Sequence, residues 1–165
     1  GPGSFTGLRV TAGLVQGLAF GLQVPVVPVS SLRAMAYAVH DRLEAPTEVA
    51  VARDARMEEL YWGLYWVTPD AVVAPLSPEA LLSPKDLALP EGAGHYLGVG
   101  DGWLLRDSIP QAVLSRMGTI MMDVAPEAAA IARLGEALLE QGEWVDAEAV
   151  QPVYLRDDVA WQGSA

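Results

Sequence analysis

The stretch GPGSFTGLR, residues 1–9, is the part of the sequence from which the fold is best inferred. A glycine–proline turn leads straight into an apolar segment with the composition of a helix, and neither an initiator Met nor a strand precedes it in the sequence. We therefore expect the chain to begin in the middle of a domain. Tag removal can also leave GPGS behind, but that interpretation covers four residues, whereas the pattern continues through Arg9.

The composition predicts a folded domain of ordinary size. Of the 165 residues, 52% are hydrophobic and 19% are charged, so the chain can bury a core as one domain or two small lobes. The lack of cysteine excludes disulfides, thiolate catalysis and zinc sites with cysteine ligands. We find no apolar run long enough to span a bilayer and no signal peptide, so we expect no membrane contact and a cytoplasmic location.

The charge balance argues against a nucleic-acid surface built by this chain alone. The formal net charge is -11, from 10 basic and 21 acidic residues, and Lys85 is the one lysine. Phosphate backbones favour clustered lysine and arginine, whereas the arginines here are dispersed. The acidic excess favours solubility or a basic partner.

Residues 6–22 have the composition of a helix, with Thr6 as its N-cap. Apolar residues lie on almost every side of this helix, which predicts burial on every side. Gly13, Gly17 and Gly21 fall four apart on one side, and each costs about 1 kcal/mol relative to alanine inside a helix. Such a stripe predicts the close approach of another helix or sheet, either within this chain or in a second protein.

Strands and helices alternate along the rest of the chain, which predicts an α/β or α+β fold. The clearest strand, at 60–67, alternates its side chains with a period of two, and the clearest helix spans 126–141, between Pro126 and Gly142. The other predicted elements are a strand at 24–29, a helix at 30–42 capped by Ser30 and Ser31, a strand at 48–53 joined to 60–67 by a turn at 54–59, a strand at 71–76, short helical pieces at 78–82 and 84–87, a strand at 95–99 and an extended tail at 150–154.

The two histidines, His40 and His95, do not predict a metal site. They lie far apart in the sequence, and neither has a second ligand at helical spacing. His40 closes the helix predicted at 30–42, where a histidine interacts favourably with the carboxyl end. His95 begins a strand, so we expect both to be structural.

Two glycine-rich segments are the candidates for nucleophilic or phosphate chemistry. Ser4 lies beside glycines at a helix N-terminus, where backbone N–H groups can receive an anion, whereas Ser30 and Ser31 are better explained as caps. The Gly-Val-Gly-Asp-Gly loop at 98–102 follows a strand, as phosphate loops do. It lacks the third glycine of the dinucleotide pattern and the Gly-Lys-Ser/Thr of a P-loop. Both a hydrolase and a phosphate site therefore stay open.

A charged cluster lies at the tip of the predicted hairpin and contains Asp54, Arg56, Glu58 and Glu59. Paired carboxylates perform acid–base chemistry only inside a cleft, and most clusters of this kind are solvated turns. We favour the solvated turn.

Several of these segments together resemble the bacterial TsaB (YeaZ) family, in the family's order and over essentially the whole chain. The opening nine residues resemble the family signature. The motif PVYLR at 152–156, followed by Val159-Ala160-Trp161, resembles the carboxyl end in the form typical of proteobacteria. The other matching segments are QGLA at 16–19, PVSSL at 28–32, and DARM at 54–57 with ELYW at 59–62.

The resemblance implies the α/β fold of the actin-like ATPase (ASKHA) superfamily, with two ribonuclease-H-like lobes. On that basis residues 1–47 are the remainder of the first, partner-binding lobe, 48–152 the second lobe and 153–165 a C-terminal tail. In the family the signature follows a first β-hairpin and a further strand and helix, so we expect the first lobe to be incomplete and the chain to be truncated at its amino terminus. The helix at 6–22 is then expected to expose apolar surface.

The resemblance further implies a scaffold subunit rather than an enzyme. Family members work with TsaD, TsaC and TsaE to install threonylcarbamoyl on the adenosine beside the tRNA anticodon, and TsaD carries the metal and the transfer chemistry. The implied partners are a TsaD paralogue and TsaE, with a homodimer as the alternative. No cofactor is expected on this chain itself, while ATP or ADP is a candidate at the partner junction. The older glycoprotease label is not supported, because the paired-histidine metal motif is missing.

Two sets of residues follow from these expectations, and no catalytic residue is assigned. The family uses the helix at 6–22 at its subunit interface, which assigns the interface to Leu8, Thr11, Ala12, Val15, Gln16 and Ala19. Candidate phosphate contacts are Ser4, Phe5, Thr6 and Gly100. The alternatives to a scaffold are a nucleotide-binding or hydrolysing actin-like ATPase, which would use those contacts, and a glycoprotease-like peptidase, which needs a metal or a triad that the sequence does not supply.

Overall fold

The structure of the protein, a computed structural model, describes residues 1–92 and 94–156. The helices in this part of the chain are α1 (Phe5–Leu22), α2 (Ser31–Tyr37), α3 (Gln111–Leu114) and α4 (Ala128–Glu140). The strands are β1 (Thr47–Arg56), β2 (Glu59–Val67), β3 (Val73–Pro75), β4 (Ala80–Leu82), β5 (Tyr96–Val99) and β6 (Met117–Met121). Short 3₁₀ segments lie at His40–Arg42, Pro84–Asp86, Asp101–Ser108 and Ala147–Ala149.

The six strands form one mixed sheet in the order β3-β2-β1-β5-β6, and β4 also pairs with β2. The predicted hairpin is present: β1 and β2 are antiparallel, with Thr47 opposite Val67 at one end and Arg56 opposite Glu59 at the other. β5 runs parallel to β1, and β6 runs parallel to β5. A parallel pair needs a crossover, which the 3₁₀ segment Asp101–Ser108 and α3 supply between β5 and β6.

Each face of the sheet carries a hydrophobic core, because successive side chains of β1 point to opposite faces. Val49 and Val51 pack with residues of α2 and α4 on one face. Ala50 belongs to the core of the other face, where the buried Trp103 donates its indole N–H to the carbonyl oxygen of Ala50 at 3.3 Å. Helical elements therefore cover both faces of the sheet, as an α/β fold requires.

Helix α1 is largely exposed, so the prediction that it is buried on every side is wrong. Ala19 is its one buried residue. Val10, Leu14 and Leu18 expose 65%, 63% and 56% of their surface. An apolar composition predicts that a helix has to be covered, but it does not say whether its own chain supplies the cover.

The first turn of α1 also differs from the prediction, because Ser4 and not Thr6 is the N-cap. Ser4 is extended (φ -57°, ψ 125°), and its Oγ accepts the backbone N–H of Gly7 at 3.4 Å. The helix therefore begins at Phe5, and Thr6 lies inside its first turn. Serine and threonine are both favoured caps, so sequence alone did not distinguish the two positions.

The glycine stripe of α1 faces open space among the described residues. A Cβ atom built on Gly13, Gly17 or Gly21 meets no atom within 4 Å. The close approach that the stripe predicted is therefore not made by the described part of this chain.

Helix α1 also overturns the expectation that no segment is long enough to span a membrane. Its 18 residues reach a mean hydropathy of 1.2, and by length and composition it could cross a bilayer. Arg9, Gln16 and the glycines make the segment only weakly apolar, so no uninterrupted apolar run marks it in the sequence.

Other predicted elements need correction. Residues 24–29 do not form a strand, and among the described residues they make one isolated antiparallel bridge, between Val26 and Val145. Residues 80–82, expected to be helical, pair with β2 as β4, because pairing along a sheet edge overrides a weak helical preference. The helix predicted at 30–42 ends at Tyr37, and β1 continues to Arg56, which shortens the turn predicted at 54–59. α3 and β6 were not predicted.

Candidate functional site

A groove of about 720 Å³ separates the inner side of α1 from the body of the protein. We call it the α1 groove. Opposite α1, it is bounded by residues 26–29 and by two residues of α4, Ile131 and Leu138. The residues of α1 that line it are Gly7, Leu8, Thr11, Ala12 and Val15, so four of the six predicted interface residues meet on this one surface.

The remaining two predicted interface residues make contacts within the chain. Ala19 is buried, with 4% of its surface exposed. The side-chain amide of Gln16 donates to the carbonyl oxygen of Glu148 at 3.5 Å. Of the six predicted interface residues, Thr11 is exposed, Ala19 is buried, and the other four are half-buried.

The opposite side of α1 presents a second, fully outward surface that the sequence analysis did not assign. We call it the outer stripe: Val10, Leu14 and Leu18, with Gly13, Gly17 and Gly21 between them. Val10, Leu14 and Leu18 are four residues apart, and so are Gly13, Gly17 and Gly21, so each set forms a row along the helix. The two rows are neighbours on one side, because each glycine follows an apolar residue by three positions. The glycines leave the backbone accessible between the apolar side chains, which allows another helix or sheet to come close.

A partly buried polar cluster forms part of the lining of the α1 groove. The Tyr65 hydroxyl donates to Oε1 of Glu79 at 2.5 Å, and the Ser30 hydroxyl donates to the same oxygen. Burial, together with the Glu79 carboxylate, raises the pKa of Tyr65 well above its usual value. This cluster ties the N-terminus of α2 to β2 and fixes one wall of the groove.

The two serines at the start of α2 have different roles. Ser30 is the N-cap that was predicted, since its Oγ accepts the backbone N–H groups of Leu32 and Arg33 at 3.1 and 3.2 Å. Ser31 is the first helical residue rather than a cap, and its hydroxyl donates to the carbonyl oxygen of Pro2. Both hydroxyls are thus engaged in holding the fold.

A second cavity, of about 570 Å³, lies between the first turn of α1 and the β1–β2 turn. We call it the hairpin cleft. Its charged and polar lining comes from Ser4, Arg53, Asp54, Arg56, Tyr61, Asp101, Tyr154 and Arg156. Arg53 lines both cavities, and no carboxylate of the described residues forms an ion pair with it.

The candidate phosphate contacts do not converge on one point. Ser4 and Phe5 line the hairpin cleft, whereas Thr6 and Gly100 do not. Gly100 donates its N–H to the carbonyl oxygen of Met121 at 2.9 Å, and its φ of 105° suits glycine. A Cβ atom at this position would come within 2.6 Å of Cε of Met35, so the glycine is explained by close packing.

The β1–β2 turn has an unusual backbone conformation. Arg56, Met57 and Glu58 are all left-handed, with φ of 66°, 56° and 57°. Left-handed backbone is disfavoured for residues other than glycine, asparagine and aspartate, and no sequence signal pointed to it here. Arg56 and Met57 are exposed, whereas Asp54 lines the hairpin cleft and Glu59 is only 32% exposed, so the charged cluster is partly a solvated turn and partly the wall of a cleft. Its three left-handed residues give the turn a strained shape.

The two histidines occupy different environments. Nδ1 of His40 lies 2.7 Å from the carbonyl oxygen of Tyr37, at the end of α2, which fits the predicted contact with the carboxyl end of that helix. His95 is exposed just before β5.

Two contacts of the segment that follows α4 were missed. Tyr154 contacts α1, and Arg156 contacts the β1–β2 turn. Both residues belong to the PVYLR motif that carried part of the family resemblance, so their motif was noticed but its contacts were not inferred.

Comparisons with known proteins agree on one family. A sequence model of the family described as "TsaD: tRNA N6-adenosine threonylcarbamoyltransferase" matches residues 1–164. The tRNA threonylcarbamoyladenosine biosynthesis protein TsaB of Escherichia coli (strain K12) is 34% identical over 166 residues, which cover 98% of this chain and 70% of the relative. The protein of the same name from Haemophilus influenzae is 34% identical over 172 residues, with the same coverage of both chains.

Solved structures give the same result. YeaZ from Pseudomonas aeruginosa superposes with a TM-score of 0.82 and 39% identity, covering 93% of this chain and 71% of that one. A crystal structure of a protein described as similar to peptidase YeaZ from P. aeruginosa gives a TM-score of 0.83, also at 39% identity, and covers 94% of this chain and 70% of that one.

Proposed function

Because this chain belongs to the TsaB (YeaZ) family, we propose that it is a non-catalytic scaffold subunit in the biosynthesis of tRNA N6-threonylcarbamoyladenosine. Its fold is the predicted α/β fold of the actin-like ATPase superfamily. As a scaffold it docks to a TsaD-type threonylcarbamoyltransferase in the cytoplasm and supports it. TsaE joins the same assembly, and ATP or ADP binds at the junction rather than to this chain alone.

The observation that carries this proposal is helix α1. A helix of 18 residues with one buried side chain leaves a large apolar surface for which the described part of the chain offers no cover. Contiguous exposed apolar surface of this kind is typical of a protein–protein interface. The outer stripe is the proposed first contact, and the α1 groove, with the predicted residues Leu8, Thr11, Ala12 and Val15, is its continuation.

The serine environments favour a scaffold over a peptidase. Ser4 accepts a helix N–H, Ser30 caps α2 and bonds to Glu79, and Ser31 bonds to Pro2. A nucleophilic serine needs a general base at its hydroxyl and an oxygen that is free to attack. Ser30 meets the Glu79 carboxylate, but its oxygen accepts two backbone N–H groups of α2, and Ser31 donates to a backbone carbonyl oxygen instead of a base.

The experiment that tests docking is size exclusion with light scattering on the chain mixed with its TsaD-type partner. We expect a one-to-one complex. Leu14→Asp is expected to abolish it, because a charge on the outer stripe has to be desolvated at the interface. Leu104→Asp is the matched control, since Leu104 is 68% exposed and lies outside α1. If both variants pair as tightly as wild type, the outer stripe is not the interface.

The continuation into the α1 groove needs a separate variant. Trp in place of Ala12 or Gln16 is expected to weaken pairing, because a large side chain at either site fills or displaces the inner side of α1. A variant that pairs as tightly as wild type would remove the inner side of the helix from the interface. The homodimer alternative is decided by the same measurement on the chain alone, where a mass of two chains supports it.

A nucleotide-binding ATPase is the second candidate, and the hairpin cleft favours it. Arg53 supplies positive charge beside the first turn of α1, where an anion is favoured, whereas the charge of Arg156 in the same cleft is paired with Glu59. Asp54 and Asp101 oppose it, since both line the cleft and Asp101 accepts the N–H of Asp54 at 3.0 Å. Calorimetric titration with ATP and Mg²⁺ discriminates the two candidates. A scaffold shows weak or no binding alone, whereas tight binding that Arg53→Ala abolishes would establish the second.

A further inference from the structure

The segment at residues 150–156, which we call the strap, is a main attachment of α1 to the rest of the protein. Tyr154 packs against Phe5 with ring centroids 5.8 Å apart, and its hydroxyl accepts the Nε–H of Arg9 at 3.1 Å. The guanidinium of Arg9 also lies 3.7 Å from the centre of the Phe5 ring. The first two turns of α1 are therefore held by an aromatic and cationic stack that the strap completes.

Two residues further along, the strap is anchored to the β1–β2 turn by Arg156. Its guanidinium donates to the carbonyl oxygen of Ala55 at 3.0 Å and forms an ion pair with Glu59 at 2.5 Å. The same side chain lies 3.3 Å from the sulfur of Met57. Arg156 and Glu59 expose only 25% and 32% of their side chains, so this pair is less screened by solvent than an ordinary surface pair.

The anchor lies where the backbone most needs support. Arg156 donates a hydrogen bond to Ala55, just before the left-handed residues of the turn, and forms an ion pair with Glu59, directly after them. Three successive left-handed residues persist only where the surroundings hold them in place. Arg156 thus fixes the turn, while Tyr154 fixes α1, and the strap connects the two.

We infer that the strap couples the pose of α1 to the conformation of the β1–β2 turn, and that Tyr154 and Arg156 are positioning residues for the partner surface. The coupling itself stands on contacts within the chain. Its consequence for docking rests on the proposed function, because the outer stripe and the α1 groove are presented by the helix that the strap holds.

Hydrogen exchange on the purified chain tests the coupling without a partner. Arg156→Ala is expected to raise exchange about tenfold in residues 5–12, and Tyr154→Ala to raise it about tenfold in residues 54–60, because each variant releases the strap at one end. Arg133→Ala is the matched control: its exposed pair with Glu136 on α4 is lost without touching the strap. If each variant loosens only the end that it contacts, the coupling is refuted.

Conservative variants show whether a loss of protection comes from the named contacts rather than from general unfolding. Tyr154→Phe keeps the ring stack and loses only the bond to Arg9. Arg156→Lys keeps the charge that pairs with Glu59 and loses the contact of Nη1 with the sulfur of Met57, because Nη2 alone contacts both Ala55 and Glu59. We expect both conservative variants to restore most of the protection that the alanine variants lose. Exchange in Arg156→Lys as fast as in Arg156→Ala would contradict the role of the charged contact with Glu59.

Binding to the TsaD-type partner tests the consequence for docking. Tyr154→Ala and Arg156→Ala are expected to weaken binding about tenfold, through faster dissociation, while Arg133→Ala binds as wild type does. If the wild-type chain does not bind the partner at all, the proposed function is contradicted. The coupling between α1 and the β1–β2 turn is then judged from hydrogen exchange alone. Unchanged binding by both strap variants, with intact binding by wild type, contradicts the positioning role.

Discussion

At the scale of single residues, Gly100 shows how packing explains a feature that sequence patterns associate with phosphate loops. We expect Gly100→Ala to lower the free energy of unfolding by about 2–4 kcal/mol, for two reasons. The backbone at this residue has a φ of 105°, which alanine rarely adopts, and the added Cβ would clash with the backbone of Ala52 and with Cε of Met35. Urea unfolding measures the change. Gly118→Ala is the control, since the nearest atom to its Cβ lies 3.6 Å away. Equal stability of the two variants would contradict the packing explanation.

Tyr65 predicts how stability depends on pH above neutrality. Burial and Glu79 raise the pKa of Tyr65 above its unfolded value of 10.0, so the unfolded chain loses this proton at a lower pH than the folded chain does. The stabilisation is therefore complete below pH 10 and falls as pH rises above it. We expect the free energy of unfolding, measured by urea unfolding between pH 9 and 11, to fall more steeply for wild type than for Tyr65→Phe. The difference in slope is expected to be about 1 kcal/mol per pH unit. If the free energies of unfolding of wild type and Tyr65→Phe fell in parallel with pH, the folded state would not raise the pKa of Tyr65.

At the scale of elements, α1 predicts opposite effects of one substitution on folding and on docking. Gly17→Ala is expected to raise the free energy of unfolding by about 1 kcal/mol, because its Cβ meets open space and alanine favours the helix. The same methyl group is expected to weaken partner binding, because it fills the gap between the apolar side chains of the outer stripe. Urea unfolding and partner titration give the two readouts. A stabilised variant with unchanged affinity would remove the glycine stripe from the interface.

The elements also show which parts of the fold and the site were predictable. The β1–β2 hairpin was predicted because period-two alternation and a turn are both local signals. β4 and β6 were not, since Ala80–Leu82 and Met117–Met121 become strands only by pairing with β2 and β5. For α1, the helix was predictable from its composition, but the side that faces the rest of the protein was not. The left-handed turn carries no glycine, and the contact that holds it comes from Arg156, about 100 residues away in sequence.

At the scale of the whole molecule, the choice is between a protein partner and a lipid bilayer as the cover for α1. Its 18 residues span about 27 Å, slightly less than a bilayer core. Insertion would also give up the contacts of Arg9 with Tyr154 and of Gln16 with Glu148. The net charge of -11 opposes an anionic lipid surface and favours a basic partner.

We therefore expect the chain not to bind vesicles of phosphatidylcholine and phosphatidylglycerol, with or without salt. In a flotation assay it should stay in the dense fraction while the vesicles float. The TsaD-type partner, added before the vesicles, should leave this result unchanged, because the apolar surface of α1 is then covered. Leu14→Asp is the informative comparison, since a charge in the middle of α1 abolishes insertion as well as docking. If wild type floats, Leu14→Asp does not and the partner releases wild type from the vesicles, then α1 has affinity for both covers and the partner competes with the membrane for it. If wild type floats and the partner does not release it, α1 is a membrane element and docking has to use another surface.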